Sequence, residues 1–271
     1  MHTAGALAFH TWIMETFVKR SLTAPPGFFA CEAAGLQWLS VSGGALCVEV
    51  LGHDDISLTL RRLESVSPTR EAASEFGGAL ARTHDAGADG WGSPPEGWSG
   101  PGYFGPLSHP LPITFAVHDT WGRFYADERL APILERAHPV LTDSAARDIS
   151  DVITRCRAGE FDDEDTPSRL HGDLWSGNLM WTGDGVVLID PAACGGHRET
   201  DLAMLHLFGC PYLSEIVDGY QSAHPLRPGW RDRIALHQLY PLLAHVVLFG
   251  VGYAQQTHAA ARRALGSADL G

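Results

Sequence analysis

The chain has 271 residues, of which 45% are hydrophobic and 19% are charged, so it can bury a sizeable core and is not a disordered protein. Lysine and arginine number 19 against 32 aspartates and glutamates, which gives a formal net charge of −13. An acidic chain repels the phosphate backbone of nucleic acids, so we predict no nucleic-acid partner.

The first 63 residues predict a small lobe built on a sheet. Residues 9–20 are rich in β-branched and aromatic types and predict a strand, whereas apolar residues at helical spacing predict a helix over 29–39. Two more strands are predicted over 46–51 and 56–63, on either side of a Gly-His-Asp-Asp turn.

Helices are predicted to dominate from Pro68 onward. The pattern predicts helices over 68–84, 121–136 and 144–157. The intervening stretch 86–112 holds many Gly, Pro and Ser residues and four aromatic residues, which favours a packed or functional loop.

A hairpin is predicted in the second half of the chain, after an acidic run at 160–165 that we interpret as a solvated connection. Its strands, 179–181 and 186–189, flank a Thr-Gly-Asp-Gly turn. The remainder predicts helices, over 200–209, 211–222 and two long stretches after Gly229.

The cysteines and the apolar stretches indicate the cellular compartment of the protein. No C-x-x-C pair occurs among the five cysteines, which favours a reducing cytoplasm over a disulfide framework or a zinc site; they are Cys31, Cys47, Cys156, Cys194 and Cys210. The first residues lack the basic flank and apolar core of a secretory signal. The apolar stretch 239–253 is too short to span a bilayer. We predict a cytoplasmic protein without a membrane partner.

The segment from His171 to Asn178 carries the chemistry, because it has the form H-x-D-x-x-x-x-N. In the catalytic loop of kinases this spacing places an Asp at the acceptor hydroxyl and an Asn at Mg²⁺. By that pattern Asp173 is the candidate catalytic base and Asn178 a candidate metal ligand. Such residues are also common in turns, so the motif needs further support.

Two further features supply that support. Asp190 ends the apolar strand 186–189, twelve residues after Asn178, and could share the metal with it, as the second metal-binding Asp of kinases does. Upstream, Lys19 lies at the end of a strand and Glu32 lies in the next helix. A strand lysine paired with a helix glutamate holds the nucleotide phosphates in kinase-like folds.

The string HGDLWSGN at 171–178 resembles the distinguishing motif of the fructosamine kinase (ketosamine-3-kinase) family, which lies within the protein-kinase-like and aminoglycoside-phosphotransferase-like folds. Other strings are similar to the family from about Phe17 to Leu265: DPA at 190–192, GHRE at 196–199, DLA at 201–203, WGRFY at 121–125 and HQLYPLL at 237–243.

The resemblance implies an α+β, two-lobed protein-kinase-like fold. A small antiparallel-sheet lobe would occupy residues 1–63, and a larger, mainly helical catalytic and substrate lobe residues 64–271. It also implies ATP and Mg²⁺ as cofactors and a small-molecule ketosamine or glycated amine as the partner of a monomeric enzyme. The predicted reaction is phosphorylation of a sugar hydroxyl, the 3-hydroxyl by family resemblance.

The resemblance also assigns residues. Lys19 would contact the ATP phosphates, held by Glu32, and backbone groups of Arg61, Arg62 and Leu63 would meet adenine at the hinge. Asp173 would be the base, with Asn178 and Asp190 as Mg²⁺ ligands. Trp175, with His171, would belong to the substrate site, although a packing role for Trp175 is equally compatible with the sequence. Asp201 would brace the catalytic loop.

Two departures from the family pattern stand out. Arg61 replaces a residue that is often acidic in the family. The part before Lys19 is shortened, so the phosphate-covering glycine-rich loop is expected to be absent or reduced to residues 3–6, with weaker ATP binding. A kinase for another hydroxylated amine, such as an aminoglycoside, and a pseudokinase remain alternatives. A metal hydrolase is disfavoured because no histidines have a metal-ligand spacing.

Overall fold

The computed structural model describes residues 15–266. Its small lobe is an antiparallel sheet of β1 (Thr16–Arg20), β3 (Val50–His53) and β4 (Ser57–Arg61), with β4 in the centre. Lys19 pairs with Leu58 in this register. Helix α1 (Phe28–Leu39) packs its Phe29, Ala33 and Leu36 against the buried face of the sheet, as its apolar spacing predicts. Residues 9–14 of the predicted first strand lie outside the described residues.

The strand predicted over 46–51 is wrong as a single element. Leu46–Cys47 forms the two-residue strand β2, which pairs in parallel with β9 (Gly185–Leu188) of the large lobe rather than with β3. The amide of Val48 continues this pairing by donating to the carbonyl of Leu188. The chain therefore leaves one sheet and enters another within a few residues, which ties the two lobes together.

The stretch 86–112 is not wholly loop. It contains β5 (Gly102–Phe104) and the start of β6 (Leu111–Ile113), which form a short antiparallel hairpin. Gly102 is required there because a Cβ would collide with the side chains of Ile113 and Phe115. The hydroxyl of Tyr103 donates to the carbonyl of Pro26, which fixes the hairpin against the small lobe.

The helices predicted before the catalytic loop are present. They are α2 (Arg70–Asp85), α3 (Trp121–Phe124), α4 (Ala131–Ala137) and α5 (Asp143–Arg157). Between α3 and α4 the helix widens into a π-helical segment, Tyr125–Leu130, so that 121–136 is continuous but irregular. Thr69 and Thr142 cap α2 and α5 by accepting backbone amides.

The hairpin of the large lobe matches its prediction: β8 (Leu179–Thr182) and β9 are antiparallel. Strand β7 (Ser168–Leu170) precedes the catalytic loop and pairs with β10 (Cys194–Gly196). The helices that follow are α6 (Glu199–Leu207), α7 (Leu213–Ala223), α8 (Trp230–His237), α9 (Leu239–Phe249) and α10 (Ala254–Ala264). The two long stretches predicted after Gly229 are thus three helices, and Gly250, with φ 88°, separates the last two.

The sequence predicts a solvated connection for the acidic run 160–165, but the structure shows more than that. Asp165 pairs with the Nε of Arg198 at 2.9 Å, and Asp163 lies 3.4 Å from His197. Arg198 is buried, so its guanidinium needs carboxylate partners, and Asp85 supplies a second one at 2.8 Å. The run therefore closes a buried ion-pair network.

No helix among residues 15–266 combines the length and apolar composition that crossing a membrane requires.

Candidate active site

The predicted catalytic loop, residues 171–178, connects β7 to β8, and Asp201 at the start of α6 binds its backbone. Its two carboxylate oxygens accept the amides of His171 at 2.7 Å and of Gly172 at 3.0 Å. Asp201 is fully buried and also lies 3.2 Å from the Nε2 of His84, whose Nδ1 meets the Tyr220 hydroxyl. The predicted bracing role of Asp201 is confirmed.

His171 is a positioning residue of this loop. Its Nε2 lies 2.8 Å from the carbonyl of Ile189, and its Nδ1 lies 3.2 Å from the amide of Asp173. An imidazole that donates from Nε2 and accepts at Nδ1 satisfies both contacts in its neutral form. Burial lowers the pKa of His171, which favours that form. The ring is buried and does not line the cleft, so the predicted substrate contact finds no support in this geometry.

Three charged side chains from distant parts of the chain meet in the cleft. Lys19 Nζ lies 2.7 Å from Glu32 Oε1 and 2.5 Å from Asp190 Oδ1. Burial alone would lower the pKa of Lys19, but the charges of Glu32 and Asp190 outweigh it and raise that pKa. The predicted pair of Lys19 and Glu32 is therefore present, and Lys19 also contacts Asp190 at the end of strand β9.

Asp173, Asn178 and Asp190 surround the same space. The amide nitrogen of Asn178 donates to the backbone carbonyl of Asp173 at 2.8 Å and to its Oδ2 at 3.3 Å. Asp190 has a left-handed backbone conformation with φ 56°, a strained geometry that is concentrated at functional sites. Burial raises the pKa of Asp173 to about 7, and Asn178 opposes this shift.

These groups open onto a cavity of about 380 Å³ between the lobes. One side of it is formed by residues that the sequence did not predict as site residues: Tyr103 and Phe104 of β5, Leu107 after it, and His245, Leu248 and Phe249 of α9. The aromatic content of 86–112 was the available signal for the first group. Trp175 also lines this side and is 39% exposed.

A further cluster of potential ligands lies deeper in the large lobe. Ligand atoms of His197, Glu199 and His237 lie within 4.8 Å of one another, although their spacing in the sequence predicted no such cluster. Arg233 donates to both carboxylate oxygens of Glu199, at 2.8 and 2.5 Å. This guanidinium neutralises the carboxylate, so the cluster is an ion-pair network of the core.

Comparison with known proteins decides the family. The sequence pattern described as Fructosamine kinase matches residues 3–267. The chain belongs to the fructosamine kinase family. A candidate ketoamine kinase from Enterococcus faecium is 32% identical over 243 residues, which cover 89% of this chain and 84% of that protein. The ketosamine-3-kinase of Mus musculus is 35% identical over 144 residues, 53% of this chain and 46% of that protein.

Solved structures agree with this family. A crystal structure of a candidate fructosamine-3-kinase from Thermobifida fusca has a TM-score of 0.85 and 45% identity, covering 93% of this chain and 85% of that one. An aminoglycoside phosphotransferase in complex with ADP and hygromycin B has a TM-score of 0.53 at 17% identity, covering 90% and 83%. That second likeness concerns the fold alone. The chain is a phosphotransferase of the kinase class, with the predicted two-lobed α+β fold.

The predicted hinge, residues 61–63, lies at the end of strand β4. Arg61 pairs with Glu49 at 2.6 Å, and the Nε of Arg62 lies 3.5 Å from Glu15. Leu63 packs against the core of the small lobe, as do Met180 and Ile189. The adenine contact of residues 61–63 stays a prediction. The predicted phosphate-covering segment at residues 3–6 lies outside the described residues.

Proposed function

We propose that this kinase transfers the γ-phosphoryl group of ATP to a sugar hydroxyl of a ketosamine, the 3-hydroxyl in the family reaction. The observation that carries the proposal is the arrangement of Asp173 with Lys19, Asn178 and Asp190 around one cleft in a member of this family. Lys19, held by Glu32, would bind the phosphates of ATP.

The donor set suits Mg²⁺. Asp190 offers a carboxylate that is 42% exposed, and Lys19 pairs with its Oδ1. The amide nitrogen of Asn178 is committed to Asp173, which leaves its carbonyl oxygen directed away from that contact. Mg²⁺ prefers such oxygen ligands and keeps part of its water shell. Asn178 and Asp190 would hold the ion, which when bound neutralises charge on the transferring phosphate.

Asp173 would act on the acceptor. Its carboxylate receives the proton of the attacking hydroxyl while the hydroxyl oxygen forms a bond to the γ-phosphorus. The bond between that phosphorus and the bridging oxygen breaks, and ADP leaves with the electron pair. Asn178 keeps Asp173 oriented through two hydrogen bonds to it. The backbone of the loop is fixed by Asp201, so the base need not be positioned anew in each turnover.

The acceptor side of the cleft suits a sugar linked to an amine. Trp175 and Phe208 form an edge-to-face pair with ring centroids 6.3 Å apart, and both are partly exposed. Phe208 also lies 4.9 Å from the ring of His245. Aromatic faces bind the apolar face of a sugar and attract a protonated amine. We place the amine end of the ketosamine at this exposed rim.

For the nucleotide, we propose that adenine lies between Leu63 and the pair Met180 and Ile189, beside the hinge. A division of the chain into lobes at residues 63 and 64, a monomeric state and a cytoplasmic location also stay predictions. None of them alters the chemistry of the cleft.

A coupled assay of ADP release tests the proposed function, with a panel of ketosamines and aminoglycosides, each with and without Mg²⁺. We expect turnover that depends on Mg²⁺ and is highest with a ketosamine. Faster turnover with an aminoglycoside would replace the proposed substrate class. The absence of turnover with every acceptor would favour a pseudokinase.

A further inference from the structure

A second, smaller cavity lies behind the active-site cleft. It has a volume of about 30 Å³ and is lined mainly by buried residues, about half of them from helices, including the π-helical segment, and half from short strands and loops. Phe104 and Ala192 line both this cavity, the inner chamber, and the cleft, so the two spaces adjoin at these residues. Gly172, next to the candidate base Asp173, lines the chamber as well. The chamber thus adjoins the catalytic loop.

The inner chamber is lined by a buried guanidinium with an unused donor. Arg129 is 5% exposed, and its Nη1 donates to the carbonyls of Thr114 and Glu128, both at 3.1 Å. Its Nη2 is buried and has no hydrogen-bond partner among residues 15–266. Within the same residues, no carboxylate lies within 4.0 Å of this guanidinium, which instead lies over the rings of Phe124 and Tyr240. Buried polar groups are rarely left unpaired in folded proteins.

An irregular stretch of helix positions Arg129 at the inner chamber. Arg129 belongs to the π-helical segment Tyr125–Leu130, and π-helical turns occur frequently at functional sites. Pro132 has no N–H and cannot donate to the carbonyl of Glu128 four residues earlier. Arg129 Nη1 supplies the missing donor, so the segment fixes the guanidinium while Nη2 stays unpaired.

Tyr240 brings a second unused group to the chamber. The backbone amide of Tyr240 donates to the Tyr125 hydroxyl. The side-chain hydroxyl of Tyr240 makes no hydrogen bond within the described part of the chain. Burial raises the pKa of Tyr240 to about 12, so the hydroxyl stays protonated. The Arg129 guanidinium lies 5.9 Å from the centre of the Tyr240 ring, and both residues line the chamber.

We infer that the inner chamber is an acceptor subsite in which Arg129 and Tyr240 bind a hydroxyl of the sugar at the end remote from the amine. This inference rests on the proposed function, because it assigns a subsite for that acceptor. A volume of about 30 Å³ admits one oxygen-bearing group but no amine substituent. The amine must therefore point to the open rim at Trp175 and Phe208, which leaves the opposite end of the sugar for the chamber.

The subsite predicts selectivity against acceptors that lack this hydroxyl. A site whose buried donors are left unpaired rejects a deoxy analogue strongly. We expect kcat/KM of the wild-type enzyme to be at least about tenfold higher for a ketosamine than for the analogue that lacks the terminal hydroxyl. Tyr240→Phe should reduce this ratio to below about threefold, with an unchanged KM for ATP.

The matched control is Tyr220→Phe, at a buried tyrosine that does not line the chamber. It removes a hydroxyl of the same kind, which lies 2.8 Å from the Nδ1 of His84 and accepts from Arg198 at 3.3 Å. This variant should lose thermal stability but keep the selectivity for the terminal hydroxyl. Arg129→Lys retains the charge and should fold, and it should reduce the same ratio.

An unchanged ratio in both Tyr240→Phe and Arg129→Lys would overturn the inference, since the chamber would then hold only water. Calorimetric binding of the two ketosamines without nucleotide gives a readout that does not require turnover. Tighter binding of the full ketosamine that Tyr240→Phe abolishes supports the subsite, whereas equal binding of both sugars to the wild-type enzyme contradicts it. A wild-type enzyme that binds with this preference and phosphorylates neither sugar would refute the proposed function and leave the subsite supported.

Discussion

Lys19 and Asp190 are 171 positions apart in the chain, yet Lys19 Nζ lies 2.5 Å from Asp190 Oδ1. The contact joins strand β1 of the small lobe to the end of strand β9 in the large lobe. Glu32 holds the lysine from the other side at 2.7 Å. Because both carboxylates depend on one cation, replacement of Lys19 would leave a buried glutamate unpaired, which is costly. The ion-pair contact between the two sides of the cleft depends on this residue.

The first prediction concerns Asp173→Asn. The change keeps the size of the side chain but removes the group that accepts the proton of the attacking hydroxyl. Positioned acid–base groups contribute roughly 10²–10⁴-fold, so kcat should fall by that range. Circular dichroism should show an unchanged fold. Turnover within about threefold of the wild-type value would contradict the assignment of Asp173.

The second prediction concerns pH. Burial raises the pKa of Asp173 to about 7, and the base must be ionised to act. We therefore expect kcat/KM for the acceptor to decrease as the pH falls below about 7, and a pH–rate profile at fixed ionic strength measures it. Activity that stays constant between pH 5 and 7 would exclude Asp173 as the group that titrates.

The same pKa predicts an effect on stability. A carboxyl whose pKa is higher in the folded than in the unfolded state favours unfolding as the pH rises, because the unfolded chain then binds fewer protons. The stability of the wild-type protein relative to Asp173→Asn should therefore decrease from pH 4 to above pH 7. Urea unfolding at several pH values measures this difference, and the opposite trend would show that the carboxylate is stabilised in the fold.

The third prediction compares the two candidate metal ligands. Asp190→Ala should abolish Mg²⁺-supported ATP binding, since it removes the anionic ligand. Asn178→Ala should weaken it less, because a neutral amide contributes less charge. Titration of Mg²⁺ against nucleotide affinity in both variants measures the effects. Equal losses would indicate a different set of ligands.

The fourth prediction uses two adjacent glycines of α2. A Cβ on Gly77 would collide with the backbone carbonyl of Ile216 in α7, so Gly77→Ala should destabilise the protein by about 1–3 kcal/mol. Gly78 is the control, since a Cβ there meets its nearest atom at 3.5 Å. Gly78→Ala should be neutral or stabilising by up to about 1 kcal/mol. Similar thermal midpoints for the two variants would contradict this account of the helix contact.

The predicted catalytic loop and the hairpin after it could be recognised because the residues that define each of them are close together in the sequence. His171, Asp173 and Asn178 lie within eight residues, and a Thr-Gly-Asp-Gly turn defines the strands that follow. The bracing by Asp201 was also predictable, from the family resemblance. The Lys19–Glu32 pair required the downstream motif, since a lysine and a glutamate at the surface look the same in sequence.

Other features depend on long-range packing that no local pattern contains. The two residues of β2 carry too little sequence signal to reveal a parallel partner at Val187 and Leu188. Strands β5 and β6 contain Gly102 and Pro112, which normally argue against a strand. Arg129 lies in the helix predicted over 121–136, but nothing in the local pattern indicates that it is buried in a π-helical segment. The acceptor side of the cleft is built largely from these unpredicted parts.

The most direct test of the central claim is the position of phosphate in the product. The enzyme is incubated with ATP, Mg²⁺ and a ketosamine, and phosphorus–proton correlation NMR identifies the carbon that carries the new phosphoester. The proposed function predicts one product, phosphorylated at the sugar 3-hydroxyl, which Asp173→Asn forms far more slowly. A product phosphorylated elsewhere would contradict the proposed regiochemistry, and the absence of any sugar phosphate would contradict the claim itself.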